Sequence, residues 1–236
     1  MKTKILVSYL IAVLIAVMLY PTFLFTAIEM VTYDKNFYKA QYEKLGTAEY
    51  IGIDSDELLR VTQELTDYIR DRSDSLEPIQ AEIKGVHRQV FNEREILHMV
   101  DVKALFQFGF RLRNICLISI IVLSLLLYWI SARKSFKVFA KSYLIVSALL
   151  LLLLLIGGPI ISSNFTYYWD QFHYLFFDND LWLLNPATDI MIQMVPEPFF
   201  YQAVFRVLAY FGLGIIITGA ASFWILRSER KKSKQS

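Results

Sequence analysis

Four long apolar runs divide the chain, at about residues 5–28, 105–130, 138–161 and 204–226. At about 1.5 Å of helix per residue, each is long enough to cross about 30 Å of hydrocarbon. They predict four transmembrane helices. The first run follows Lys2 and Lys4, as the core of a signal peptide would. Its length, and the lack of a small-x-small cleavage site between Thr22 and Thr32, predict an uncleaved anchor instead. Pro159 falls near the end of the third run, and Pro196 and Pro198 just precede the fourth, where a helix tolerates proline. Gly212 and Gly214 interrupt the fourth run and suit close packing between helices.

Between the runs the periodicity changes. Asp54 followed by Glu57 reads as a helix start, with Leu58, Val61, Leu65 and Ile69 on one helical stripe. Ile79, Ala81 and Ile83 then alternate with Gln80, Glu82 and Lys84, the pattern of a short strand. Asn92 with Glu95 signals a second helix start, running toward the second span. The long connections, 31–104 and 162–203, therefore read as a folded cap rather than tethers. The expected fold is an all-α integral membrane protein, one membrane domain over 1–236, with four transmembrane helices and a mixed extracellular cap of helices plus a short strand segment.

Charge supplies the orientation. The short stretch between the second and third runs carries Arg133, Lys134, Lys137 and Lys141 without an acid. The tail carries Arg227, Arg230, Lys231, Lys232 and Lys234 against Glu229 alone. The connection 162–203 has Asp170, Asp178, Asp180, Asp189 and Glu197 and no lysine or arginine. The positive-inside rule then puts both termini in the cytoplasm and both long connections outside. Composition agrees: 56% of residues are hydrophobic and only 19% charged, and mean hydropathy is positive. A net charge of +2 offers no basic field for nucleic acid. The single cysteine, Cys116, lies in an apolar run and leaves no disulfide or CxxC motif.

The chain has no GxSxG, GxxxxGK[ST] or HExxH motif. Its three histidines, His87, His98 and His173, all fall in the two outer connections. His98 has Glu95 three residues before it and Asp101 three after, close on a helix face, where a carboxylate could orient the ring as a base. A charged surface helix is the plainer alternative. His173 lies among aromatic residues just past the third run. Trp169, Phe172, Phe176, Phe177 and Trp182, with Asn179, would wall a site for acyl chains; an interfacial aromatic belt is the alternative. His87 reads as structural. Arg111 and Arg113, at the outer end of the second span, could snorkel to lipid phosphates, pair with acids, or clamp a substrate carboxylate or phosphate.

The segments FYKAQYEKLGTA, FNEREILHMVDVK, FHYLFFDNDLWLLNPATD and MVPEPFF together give the chain a resemblance to the bacterial lipoprotein intramolecular transacylase family, over nearly its full length. The resemblance implies four spans under an extracellular cap, in a bacterial cell membrane, with two essential histidines that fall on His98 and His173. It also implies the reaction. The sn-2 acyl chain of a diacylglyceryl lipoprotein moves to the α-amino group of that protein's own N-terminal cysteine, giving the lyso form. The implied partners are the diacylated lipoprotein and the bilayer, with no cofactor and no metal. Ester-to-amine transfer within one molecule requires no acyl-enzyme, so a missing serine elbow is consistent with it. His98, oriented by Glu95 or Asp101, is the candidate base, and His173 the group that stabilises the oxyanion or protonates the leaving oxygen; the roles could be exchanged. Two other classes stay open on the residues: a metal-dependent lipid hydrolase using His98, Asp101, His173 and Asp170, and a non-enzymatic lipid- or partner-binding protein.

Overall fold

Each apolar run is the core of one longer helix: α1 (Lys2–Thr32), α5 (Glu93–Ser131), α6 (Lys134–Ser163) and α9 (Glu197–Gln235), in a computed structural model that describes residues 2–235. At 31, 39, 30 and 39 residues, all four are longer than the hydrocarbon layer requires. The chain folds into two compact units. One comprises the residues up to Ile28, Phe110–Asn164 and those from Val207 onward; the other comprises Glu29–Gly109 and Phe165–Arg206.

In the first unit, Ile11, Ala12 and Ile15 of α1 and Leu127 of α5 form a buried cluster, backed by Leu123, Val138 and Phe139. The outward residues are as apolar as the inward ones. Ile118, Ile121 and Leu125 of α5, Leu151, Leu153 and Leu155 of α6, and Ile216 and Phe223 of α9 are all exposed. Only a lipid phase covers so continuous an apolar surface at no cost, so this is an integral membrane protein. Polar contacts also cross between these helices. Ser8 Oγ lies 2.7 Å from Ser131 Oγ, Tyr20 OH lies 3.0 Å from Ser147 Oγ, and Tyr143 OH donates to the Ile215 carbonyl at 3.0 Å. Each is worth on average about 0.6 kcal/mol in such a setting. A Cβ on Gly214 would come within 3.0 Å of the Phe23 ring, the close approach expected there, whereas one on Gly212 would meet nothing within 4 Å.

The second unit begins with three helices: α2 (Lys35–Leu45), α3 (Thr47–Ile51) and α4 (Ser55–Ile69). Asp34 caps α2, accepting from the N–H groups of Asn36 and Phe37, while its other oxygen pairs with Arg206 of α9 at 2.7 Å. Gly46 and Gly52, at φ of 65° and 78°, break the chain between consecutive helices, a conformation glycine adopts without strain. Asp54 caps α4, and Leu58, Val61, Leu65 and Ile69 are all buried, as the stripe predicts. The Glu57 N–H donates to Asp54, but the bond is not returned, because the Glu57 carboxylate turns to Arg60 and to the N–H of Glu82.

The alternating segment is strand β1 (Gln80–Ile83), with Ala81 and Ile83 inward. It pairs antiparallel with β2 (Val86–Gln89), through a two-residue turn at Lys84 and Gly85 with φ of 54° and 76°. Two positive φ values fit a type I′ turn, which matches strand twist. α5 follows and runs unbroken, its residues up to Gly109 in this unit and the remainder in the other.

The aromatic segment beyond the third span is largely helical: α7 (Phe165–Phe176) carries it. A connection from Phe177 to Asp189 leads to the short α8 (Ile190–Met194), and α9 starts at Glu197 with Pro198 in its first turn.

Candidate active site

The site is built from the start of α5. Asn92 and Glu95 exchange hydrogen bonds: the Glu95 N–H donates to Asn92 Oδ1 at 3.0 Å, and the Asn92 N–H donates to Glu95 Oε2 at 2.7 Å. This reciprocal cap fixes where α5 begins. The second oxygen of Glu95 accepts the Met191 N–H of α8 at 2.6 Å, and the side chain is 1% exposed. Burial raises its pKa, against the lowering effect of these two N–H donors.

One turn later, His98 faces His173 of α7. Their ring centroids are 6.4 Å apart, and each residue is 8% exposed. Aromatic rings surround the pair. Phe177 lies edge-on to His98 at 5.4 Å, Trp182 stacks on His173 at 4.7 Å, and Trp169 meets His173 edge-on at 4.9 Å. Phe172 also contacts His173, and Phe176 lies one ring further out, against Phe172.

The two imidazoles are held differently. His173 Nδ1 lies 2.8 Å from the Trp169 carbonyl oxygen, one turn back on the same helix. A carbonyl can only accept, so Nδ1 carries the proton and Nε2 presents a lone pair. His98 Nδ1 is buried with no hydrogen-bond partner. Burial lowers the His98 pKa to about 4, helped by His173 and more weakly by Arg94, and opposed by Asp101. Burial also lowers that of His173, opposed by the Trp169 carbonyl and Asp170. Both rings are therefore neutral at pH 7. Titrated by NMR, each should show a midpoint below 6.5, with that of His98 the lower; a midpoint at or above 6.5 for either would contradict the burial. The linkage has a definite sign. Between pH 6.5 and about 4 the unfolded chain takes up protons that the fold refuses, so stability present above 6.5 is lost as pH falls through that window.

The segment bearing Phe177 and Trp182 is tied to the first turns of α5. Asn179 Nδ2 donates to Asp101 at 2.8 Å, and its Oδ1 accepts the Leu181 N–H. Arg94 reaches both the carbonyl and the carboxylate of Asp180. Asn92 Nδ2 donates to Asp189 at 3.0 Å, and that buried carboxylate also accepts the Asn185 N–H and the Thr188 hydroxyl.

The structure thus brings together His98, His173, Trp169, Phe172, Phe177 and Trp182. It corrects the expectation that Glu95 or Asp101 orients His98 by a hydrogen bond. Glu95 turns back to cap its own helix and outward to α8, and Asp101 is engaged by Asn179, so Asp101 acts on His98 only through its field. Arg111 and Arg113 belong to the other compact unit, with the Arg113 guanidinium 5.4 Å from the Phe110 ring. His87 is exposed on β2, opposite Glu82. Sequence reasoning missed Arg94 and Asp189 as tethers; the Asn-Pro turn leading into Asp189 was the available signal. Among the described residues, no three His, Cys, Asp or Glu side chains converge as a metal ion would need.

The sequence model of the lipoprotein intramolecular transacylase family, Lit, matches residues 13–200. Among curated proteins no sequence matches. Among solved structures, the fold is similar to the membrane integral lipoprotein intramolecular transacylase Lit from Bacillus cereus. The TM-score is 0.76 at 22% identity, covering 95% of this chain and 98% of that one. Two variants of the same Bacillus cereus protein, with a histidine replaced by arginine or by alanine, match with a TM-score of 0.73 at 21% identity. These cover 96% and 95% of this chain, and 95% and 96% of theirs.

Proposed function

The chain belongs to the lipoprotein intramolecular transacylase family, a family of membrane enzymes, and from that premise we propose that it carries the sn-2 acyl chain of a diacylglyceryl lipoprotein to the α-amino group of the same protein's N-terminal cysteine. The observation that carries this reading is the pair of enclosed imidazoles with unequal hydrogen bonding.

The hydrogen bonds favour an assignment of roles opposite to the one first expected. His173, with its proton committed to the Trp169 carbonyl, presents Nε2 as a base for the attacking amine. His98 has no acceptor for a proton on Nδ1, so its proton belongs on Nε2, where it can donate to the ester carbonyl oxygen as negative charge develops. The amine nitrogen bonds to the carbonyl carbon, the carbonyl electron pair moves to oxygen, and His173 takes the amine proton. Collapse of the tetrahedral intermediate breaks the bond to the sn-2 oxygen, and the same proton passes from His173 to that oxygen. No water is consumed, so substrate and product have equal mass. Holding amine and ester together can lower the barrier by about 7–11 kcal/mol. The aromatic walls, Trp169, Phe172, Phe176, Phe177 and Trp182, exclude water that would otherwise hydrolyse the ester.

Sidedness is part of the proposal. The basic stretch at Arg133–Lys141 and the basic tail lie in the cytoplasm, with both termini, in a bacterial cell membrane; the histidine pair works on the outer side.

Mass spectrometry of a diacylated lipoprotein incubated with the purified enzyme tests the reaction. The expected product keeps its total mass while one acyl chain becomes amide-linked at the N-terminal cysteine. Loss of one acyl chain would make the protein a hydrolase, and an unchanged substrate would remove the reading altogether.

A further inference from the structure

The indole of Trp182 has an unusual hydrogen-bonding status. Its Nε1–H is buried and has no partner. A buried indole N–H usually finds an acceptor, because leaving one unmet forfeits its hydration without return. The ring is not loosely placed. One face stacks on His173 at 4.7 Å with an interplanar angle of 24°, and Tyr174 meets the ring edge-on at 5.0 Å. Its backbone sits in a tight turn, in which the Leu183 N–H donates to the Asp180 carbonyl and the Leu184 N–H to that of Trp182. Asn179 and Arg94 fasten this turn to α5. The fold thus fixes a donor against the imidazole and gives it nothing to donate to.

An indole N–H is a donor only, so its partner has to be an acceptor that arrives from outside the chain. The ring that carries this nitrogen is stacked on His173, so the donor belongs to the same aromatic enclosure as the imidazole. In the reaction proposed above, the carbonyl oxygen of the sn-2 ester is the acceptor that enters this space, and it becomes a far stronger one when it carries negative charge.

We infer that Trp182 is a catalytic residue whose Nε1–H donates to the ester carbonyl oxygen and, with His98, holds the oxyanion of the tetrahedral intermediate. The inference rests on the transacylase reading. It assigns Trp182 a polar duty in place of a merely apolar one. The indole keeps its proton throughout; only the hydrogen bond strengthens as the carbonyl electron pair moves to oxygen.

Two replacements test this: Trp182→Phe, which keeps an aromatic ring without the donor, and benzothienylalanine at the same position, which keeps the bicyclic shape and puts sulfur in place of N–H. Both are assayed as full-length enzyme in detergent with diacylated lipoprotein. The expected result is a fall in kcat of about 10²-fold, with KM within about threefold of wild type. In the benzothienylalanine protein, which keeps the stacking on His173, the NMR midpoint of His173 should stay at its wild-type value, so that a fall in kcat there reports the lost donor and not a changed imidazole. Should the phenylalanine protein fail to fold, the benzothienylalanine protein decides. Wild-type kcat in either folded variant, or a loss confined to KM, would overturn the inference. If wild-type enzyme itself gives no amide-linked product, the transacylase reading has failed rather than the assignment of Trp182.

Discussion

Replacing His173 by glutamine is expected to cut the transacylation rate by about 10³-fold, within the range that a positioned general base supplies. Glutamine fills similar space and keeps a donor for the Trp169 carbonyl, but has no basic nitrogen to receive the amine proton. Replacing His98 by glutamine should cost less, about 10²-fold, because the side-chain amide can still donate to an oxyanion. The double variant should be little worse than His173→Gln alone, since two groups acting on one intermediate are not additive. Initial rates of lyso-lipoprotein formation provide the measurement. If either single variant stays within threefold of wild type, that residue has no part in the chemistry. If His98→Gln is the more damaging, the roles revert to His98 as base.

The second large effect is structural. Glu95→Ala should destabilise the folded protein by about 2–5 kcal/mol, because it leaves the Asn92 and Met191 N–H groups without their acceptor, in surroundings where Glu95 itself is 1% exposed. For a chain of this size that corresponds to a drop of roughly 5–15 °C in the thermal midpoint in detergent. Glu95→Gln should fall between the two, since its single oxygen can serve only one of the two donors while its NH2 group opposes the other. A thermal midpoint for Glu95→Ala within 1–2 °C of wild type would show that these bonds add nothing. The same variant separates the two accounts of this carboxylate. As a tether between the α5 cap and α8, its loss should leave the His98 midpoint nearly where it was; as a direct orienter of His98, its loss would move that midpoint markedly.

The membrane helices were the most legible feature. Their signal is a long apolar run bounded by charge, which requires no tertiary information. The stripe on α4, the alternation of β1 and the Asn92–Glu95 cap were also readable, because each is a local pattern fixed by helix or strand period. β2 was not. All four of its residues are exposed, so no alternation marks it, and only the Lys84–Gly85 turn betrays a hairpin. α7 was hidden for another reason: seven of its twelve residues are phenylalanine, tyrosine or tryptophan, which reads as readily as an interfacial belt as it does as a helix. Glu95 is the instructive error. Sequence spacing reports neighbours three and four residues away, and so points Glu95 at His98. Its decisive partner, Met191, lies 96 residues further along the chain.

The hydrogen bond from His173 to the Trp169 carbonyl spans a single helical turn. The choice of tautomer is therefore a property of α7 by itself and owes nothing to the Phe177–Asp189 segment that shields the ring. Were part of that segment to shift, the Trp169 carbonyl would still hold the Nδ1 proton and leave Nε2 free. A base of this kind would be preset by its own helix, independently of what encloses it.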